Sequence, residues 1–247
     1  MGFFDMFSSK PTSKKIAKAK SVMLNEHHQL QVRQESIQEL IHYGTDEAIE
    51  ALIDRLGVNF RDTTKNEQEQ SWIQQVLVEH FAERSIDLLK KFITQSESKS
   101  LSRAIFTLKS LIGQEEMTVF LITSLERFDP KDHRTVETRL QVIDALDEQP
   151  GEIIESILPY VMDHNDDVRI KVINLIEDRI IGIEGEYEYI IRAFLDAMTD
   201  PYAGGRITRA VAQSLIRLEV NLSGYENEIK DQMPDGYRLV NGLIKRV

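Results

Sequence analysis

The 247-residue chain contains no cysteine. That absence removes a disulfide framework, a thiolate metal site and a thiol nucleophile together. Hydrophobic runs are short: none approaches the roughly 20 residues needed to cross a bilayer. No secretory signal is visible either, because Gly2-Phe3-Phe4-Asp5-Met6-Phe7 is too short and has its lysines on the wrong side. A cytoplasmic protein is the expectation. The twelve glycines fall mostly at expected helix ends, and none builds a phosphate loop. The six histidines, His27, His28, His42, His80, His133 and His164, include no His-Glu-x-x-His spacing and no His-Glu dipeptide at all. No metal and no cofactor is therefore expected.

Positive charge is the scarcer sign, with 30 Lys and Arg against 41 Asp and Glu and a net charge of −11. Residues 1–20 run against this, holding five lysines and one aspartate. Residues 144–200 hold fifteen acids against Arg169, Lys171, Arg179 and Arg192. So acidic a body repels phosphate backbones, which disfavours nucleic acid as a partner; the acidic stretch reads first as a solvated, solubilising face, with a docked basic partner segment as the alternative. Paired acids such as Glu115-Glu116, Asp147-Glu148 and Glu177-Asp178 fall on expected exposed stripes, without an apolar pocket to raise one pKa for acid–base work.

What is present is an internal repeat. Asn165-Asp166-Asp167-Val168-Arg169-Ile170-Lys171-Val172-Ile173-Asn174-Leu175-Ile176-Glu177-Asp178 has a near copy thirty residues earlier, Arg139-Leu140-Gln141-Val142-Ile143-Asp144-Ala145-Leu146-Asp147-Glu148. At about 100° per residue, Val168, Val172, Ile173, Leu175, Ile176 and Ile180 share one broad arc. Lys171, Asn174, Glu177 and Asp178 take the remaining stripe, the pattern of a helix flanked by neighbours. Asn165, Asp166 and Asp167 offer N-caps and negative charge at the helix start. Arg169 projects into the apolar arc and must find an acceptor, for which Asp166, Asp167 or their counterparts in an adjacent repeat are the expected groups.

Asp-Asp-Val-Arg followed by aliphatic pairs resembles the second helix of a HEAT or armadillo-type repeat. The resemblance extends to Arg139 and to Arg33 in Val32-Arg33-Gln34-Glu35-Ser36-Ile37-Gln38-Glu39-Leu40-Ile41. It loosens at 98–113 and 203–219, where Ala104 and Thr208 occupy the Arg slot, and is weakest at 66–81, with Trp72 near the slot. It implies an all-α fold, a right-handed α-α superhelix of about six helical pairs. Arg33, Arg139, Asp166, Asp167 and Arg169 then serve structural roles.

Taken in order, residues 1–20 form a basic and aromatic tail that could touch an anionic membrane surface. Residues 21–222 form the solenoid and 223–247 a helical cap over the last pair. The expected pairs are 12–26 with 29–43, 47–56 with 67–81, 84–95 with 98–112, 115–127 with 134–147, 152–162 with 166–180, and 186–198 with 205–218. Residues 57–66 read as a polar loop, and Pro159 should kink its helix or shift its start. No window shows convincing strand alternation.

In such folds the second helices line the inner surface. The polar stripe carried across them gives Gln38, Lys109, Gln141, Asp144, Lys171, Asn174, Asp178, Gln213 and Arg217 as candidate partner-binding residues, with Trp72 as a candidate anchor. The function these point to is a noncatalytic scaffold or adaptor for a protein or peptide. A membrane-peripheral adaptor tethered by residues 1–20 is one alternative. A HEAT-type modifying enzyme, similar to phycobilin lyases or DNA glycosylases, is another, although the basic concave face of the glycosylases is missing.

Overall fold

The computed structural model describes residues 11–95, 99–149, 152–182 and 187–247. Phe3, Phe4, Met6 and Phe7 of the tail, Ser98, the Pro150-Gly151 pair and Glu186 lie outside them. The described chain is predominantly α-helical and divides into two compact units, Met1–Met117 and Thr118–Val247.

The first unit holds α1 (Ser13–Met23), α2 (Leu30–Tyr43), α3 (Asp46–Leu56), α4 (Thr63–His80), α5 (Ala82–Gln95) and α6 (Ser102–Ile112). Local chemistry sets these limits. α2 stops at Gly44, whose φ of 55° is the left-handed conformation that ends helices. Thr45 caps α3 by accepting from the Ala48 amide at 3.3 Å, and Asp62 caps α4 through the Lys65 amide at 3.1 Å. That cap starts α4 inside the stretch expected as loop, so the 57–66 connection is shorter than its polarity suggested. The helices form two layers: α3 packs on α1 and α5, while α4 packs on α2 and α6. Ile37, Leu40, Ile49, Leu52, Ile53, Leu56, Ile73, Leu77, Leu89 and Leu108 fill the space between them.

Helix α7 (Gln114–Leu125) carries the boundary between the units within it. The second unit continues with α8 (Val136–Asp147), α9 (Ile154–Ile157), α10 (Asp166–Ile180), α11 (Glu188–Thr199), α12 (Gly205–Arg217) and α13 (Glu226–Ile229). A 3-10 turn, Leu158–Met162, follows α9 directly. Pro159 lacks the amide an α-helix would use, so this first helix is one short turn that tightens into 3-10 geometry. α10 packs between α8 and α12, and α11 packs on the 158–162 turn and on α12. Val168, Val172, Ile173, Leu175, Ile176 and Ile180 are all buried, as the helical arc required.

The C-terminal segment departs from the expected helical cap. After α13 the chain forms a two-stranded antiparallel hairpin, β1 (Tyr237–Val240) and β2 (Leu243–Arg246). Asn241 and Gly242 sit between the strands with φ of 51° and 75°, the backbone of a tight two-residue turn whose twist suits a hairpin. The Asn-Gly pair between Leu239-Val240 and Leu243-Ile244 was the available signal. One alternating turn of four residues per strand was too short to register as a strand pattern. Ile244 on β2 is buried, and β2 packs on α12.

Candidate partner-binding surfaces

Buried arginines tie the helical pairs together. Arg139 on α8 is fully buried, and its Nε and Nη2 reach the two Asp163 carboxylate oxygens at 2.8 and 3.0 Å. Its Nη1 donates to the Asp132 carbonyl at 2.8 Å and to the Thr135 hydroxyl at 2.6 Å. Arg169 on α10 repeats the arrangement thirty residues on. Its Nη1 donates to Asp200 at 2.8 Å, and its Nε and Nη2 donate to the Val161 and Ala197 carbonyls, each at 3.0 Å.

The acceptors hold equivalent places, since Asp163 directly follows the 158–162 turn and Asp200 directly follows α11. This corrects the expectation that Asp166 or Asp167 would receive Arg169. The acids that start α10 lie toward solvent beside its first turn, and Asp167 takes Arg206 at 2.6 Å. Asn165 supplies the cap, accepting from the Asp167 and Val168 amides. An acid closing the first helix of each pair, at 163 and again at 200, was legible in the sequence but had no partner assigned to it.

In the first unit, Arg33 on α2 and Arg55 on α3 converge on one carboxylate, Glu69 of α4. Arg33 Nε lies 2.9 Å from one Glu69 oxygen and Arg55 Nη2 lies 2.8 Å from the other. Asn66 accepts from Arg55 at 3.0 Å and donates to Gln70 at 3.2 Å. The Phe60 ring lies 3.9 Å from the Arg55 guanidinium carbon and 5.0 Å from that of Arg33. Burial pulls the Arg55 pKa down, the Glu69 hydrogen bond and charge oppose it, and the Arg33 charge adds to the lowering. Sequence reasoning identified Arg33 and missed Arg55 and Glu69. Arg55 shares a helical face with the buried Ala48 and Leu52, and that placement was the signal for a buried charge in need of a counter-ion.

Upon these frames lie the polar rows. In the second unit, α8, α10 and α12 are neighbours, and they bring Gln141, Asp144, Lys171, Asn174, Asp178, Gln213 and Arg217 onto adjoining helices. Lys171 lies 2.7 Å from Asp144 and 3.4 Å from Asp147. Burial lowers the Lys171 pKa, and the hydrogen bonds and charges of Asp144 and Asp147 outweigh that, holding it above the usual lysine value. Asp144 and Asp178 are exposed, while Gln141 and Asn174 are half-buried. Arg217 pairs at 2.5 Å with Glu177, which is fully buried rather than on the solvent stripe, and which also accepts from Ser214 at 2.5 Å. Gln213 donates to the Tyr237 hydroxyl at 3.1 Å, so the hairpin borders this row.

The first unit has its own row on α2, α4 and α6, where Gln38 is exposed and Trp72 and Lys109 are half-buried. Phe106, on the same helix as Lys109, is 56% exposed. Arg103 meets Gln74 at 3.3 Å and pairs with Glu67 across the α4–α6 contact.

Among the described residues no group of three or more His, Asp and Glu side chains is arranged to hold a metal ion. No helix of the described residues is long and apolar enough to cross a membrane. These surfaces present ion-paired and amide side chains on neighbouring helices. Comparison of the chain with family models, curated proteins and solved structures returns no match.

Proposed function

We propose that this chain is a noncatalytic scaffold or adaptor of the HEAT-like kind, each unit a stretch of right-handed α-α superhelix, that binds a protein or peptide partner along its rows of second helices. The observation that carries this reading is the repetition of one buried device. Arg139–Asp163 and Arg169–Asp200 recur at matching places, tying α8 to the end of the 158–162 turn and α10 to the end of α11, while α10 packs between α8 and α12 along a polar row. Helices in contact lie about 10 Å apart, so an extended peptide or a helix laid across them meets one set of side chains per helix. Preorganised side chains on rigid elements lower the ordering cost of binding.

The partner is basic at the second unit. Residues 118–247 carry 24 acids against 15 lysines and arginines, a balance of −9 within the total of −11. Asp178 and Asp144 remain exposed there. The test is affinity capture from the native host with the unaltered chain and with Asp178→Lys. The variant recovers less of the same partner while its helical circular dichroism is unchanged. Equal recovery contradicts the reading.

A second reading, a membrane-peripheral adaptor, is favoured by one feature: Lys14, Lys15 and Lys18 are exposed on α1. Equal flotation with anionic liposomes of the chain with and without residues 1–20 removes it.

A further inference from the structure

A recess of about 320 Å³ opens in the first unit where the 24–30 connection meets the α3–α4 connection. Its lining includes Arg33 and Phe60 at the floor and Arg61 and Lys65 at the rim, together with Glu26 and Asp62. We propose that this recess binds a phosphate-class oxyanion. The site is independent of the polar rows and of the adaptor reading.

A charge imbalance lies below the surface of the recess. Arg33 and Arg55 are 4% and 0% exposed, yet they share Glu69 as the carboxylate between them. Their other protein acceptors are neutral: the Glu26 and His28 carbonyls for Arg33 Nη1, and the Val58 carbonyl and Asn66 amide oxygen for Arg55. Two guanidiniums against one carboxylate leave a positive charge in a region of low dielectric, where a charge is costly until it is paired. The mutual repulsion of the two arginines is part of what lowers the Arg55 pKa.

The geometry directs that surplus into the recess. Arg33 uses Nε on Glu69 and Nη1 on the two carbonyls, and its Nη2 donates to no group among the described residues while Arg33 lines the recess wall. The rim does not cancel the charge. Glu26 is matched by Arg61 at 3.7 Å and Asp62 by Lys65 at 2.6 Å. Three cations, Arg33, Arg61 and Lys65, therefore line the recess against two carboxylates, and the Arg61 and Lys65 side chains are 92% and 50% exposed. A guanidinium with one open donor nitrogen, flanked by two solvent-exposed cations, suits the oxygens of a tetrahedral oxyanion.

The test is isothermal titration of the full chain at pH 7.5 with inorganic phosphate and with O-phosphoserine, against sodium chloride at matched ionic strength. Saturable phosphate binding absent with chloride is expected. Arg61→Ala/Lys65→Ala, altered only at exposed side chains, loses that binding. Asp62→Asn keeps a residue able to cap α4 while removing one rim carboxylate, and it tightens binding about fivefold, the size of one screened charge contact. Tighter binding of O-phosphoserine than of phosphate assigns the anion to a modified side chain, and the reverse assigns it to the free ion. Both support the site. No phosphate-specific heat, or affinities that neither variant changes, overturns it.

Discussion

Arg139 shows how one side chain can organise several segments. It touches the 129–135 connection through carbonyls and Asp163 through two charge-assisted contacts, with neither partner exposed. Removing one partner strands a buried charge, so Arg139→Met is expected to lower the stability of the second unit by about 3–5 kcal/mol. The double variant Arg139→Met/Asp163→Leu should recover part of that loss, because replacing both partners strands no buried charge and leaves only neutral acceptors and the Asn165 amide without these partners. Denaturant titration of the three proteins checks it, and a double variant as unstable as the single one refutes the ion pair as the cause. The need for a buried arginine at 169 was legible because it falls on an apolar arc, and at 139 because that position is its equivalent in the repeat. The acceptors were not, since Asp163 and Asp200 belong to the next pair's first helix and only tertiary packing brings them near.

Tyr160 carries a second residue-scale consequence. It is buried, and its hydroxyl donates to the Leu125 carbonyl and to that of Phe128 at 3.0 Å. Burial pushes its pKa up to about 12, with the Asp163, Glu126 and Asp129 charges adding and Arg139 opposing. A folded-state pKa raised above the ordinary 10.0 favours folding with the proton on. That stabilisation is full below pH 10 and is lost as pH rises toward about 12. Tyr160→Phe should therefore be less stable than the parent at pH 8, by about 1 kcal/mol for the lost hydrogen bonds. The gap should shrink between pH 10 and 12. A gap independent of pH would remove the phenol from the account.

At the scale of elements, most helices form where the period places them, and the exceptions have local causes. α4 begins at Thr63 because Asp62 is a better cap than the polar run around it suggests. The first helix of the fifth pair breaks at Pro159 into α9 and a 3-10 turn. The hairpin escaped pattern reading because each strand has four residues, and its stability lies in contacts with earlier chain. The Leu222 amide donates to the Gly242 carbonyl at 2.7 Å, and a β-carbon on Gly242 would overlap the Asn221 and Ser223 side chains. With φ at 75° as well, Gly242→Ala is expected to cost roughly 1–3 kcal/mol locally. Hydrogen exchange at Leu222 and along β1 and β2 should accelerate while α10 keeps its protection. Unchanged exchange at Leu222 would mean that the hairpin does not depend on this close approach.

At the scale of the molecule, the surplus of acid is concentrated in residues 118–247, and within them the exposed acids Asp144 and Asp178 lie along the α8 and α10 row. The sequence showed that row as a stripe but not its internal pairing. Lys171 is engaged by Asp144 and Asp147, and Arg217 by a buried Glu177, so under the proposed adaptor reading the groups left for a partner are chiefly Asn174, Asp178 and the exposed side of Asp144. The most direct measurement is photo-crosslinking in the native host from a photoreactive residue at 174, compared with one at the exposed Glu155 on α9. The account predicts a discrete adduct from 174 that is absent from 155 and weakened by Asp178→Lys. The same adducts from both positions, or an adduct at 174 indifferent to Asp178→Lys, would contradict it.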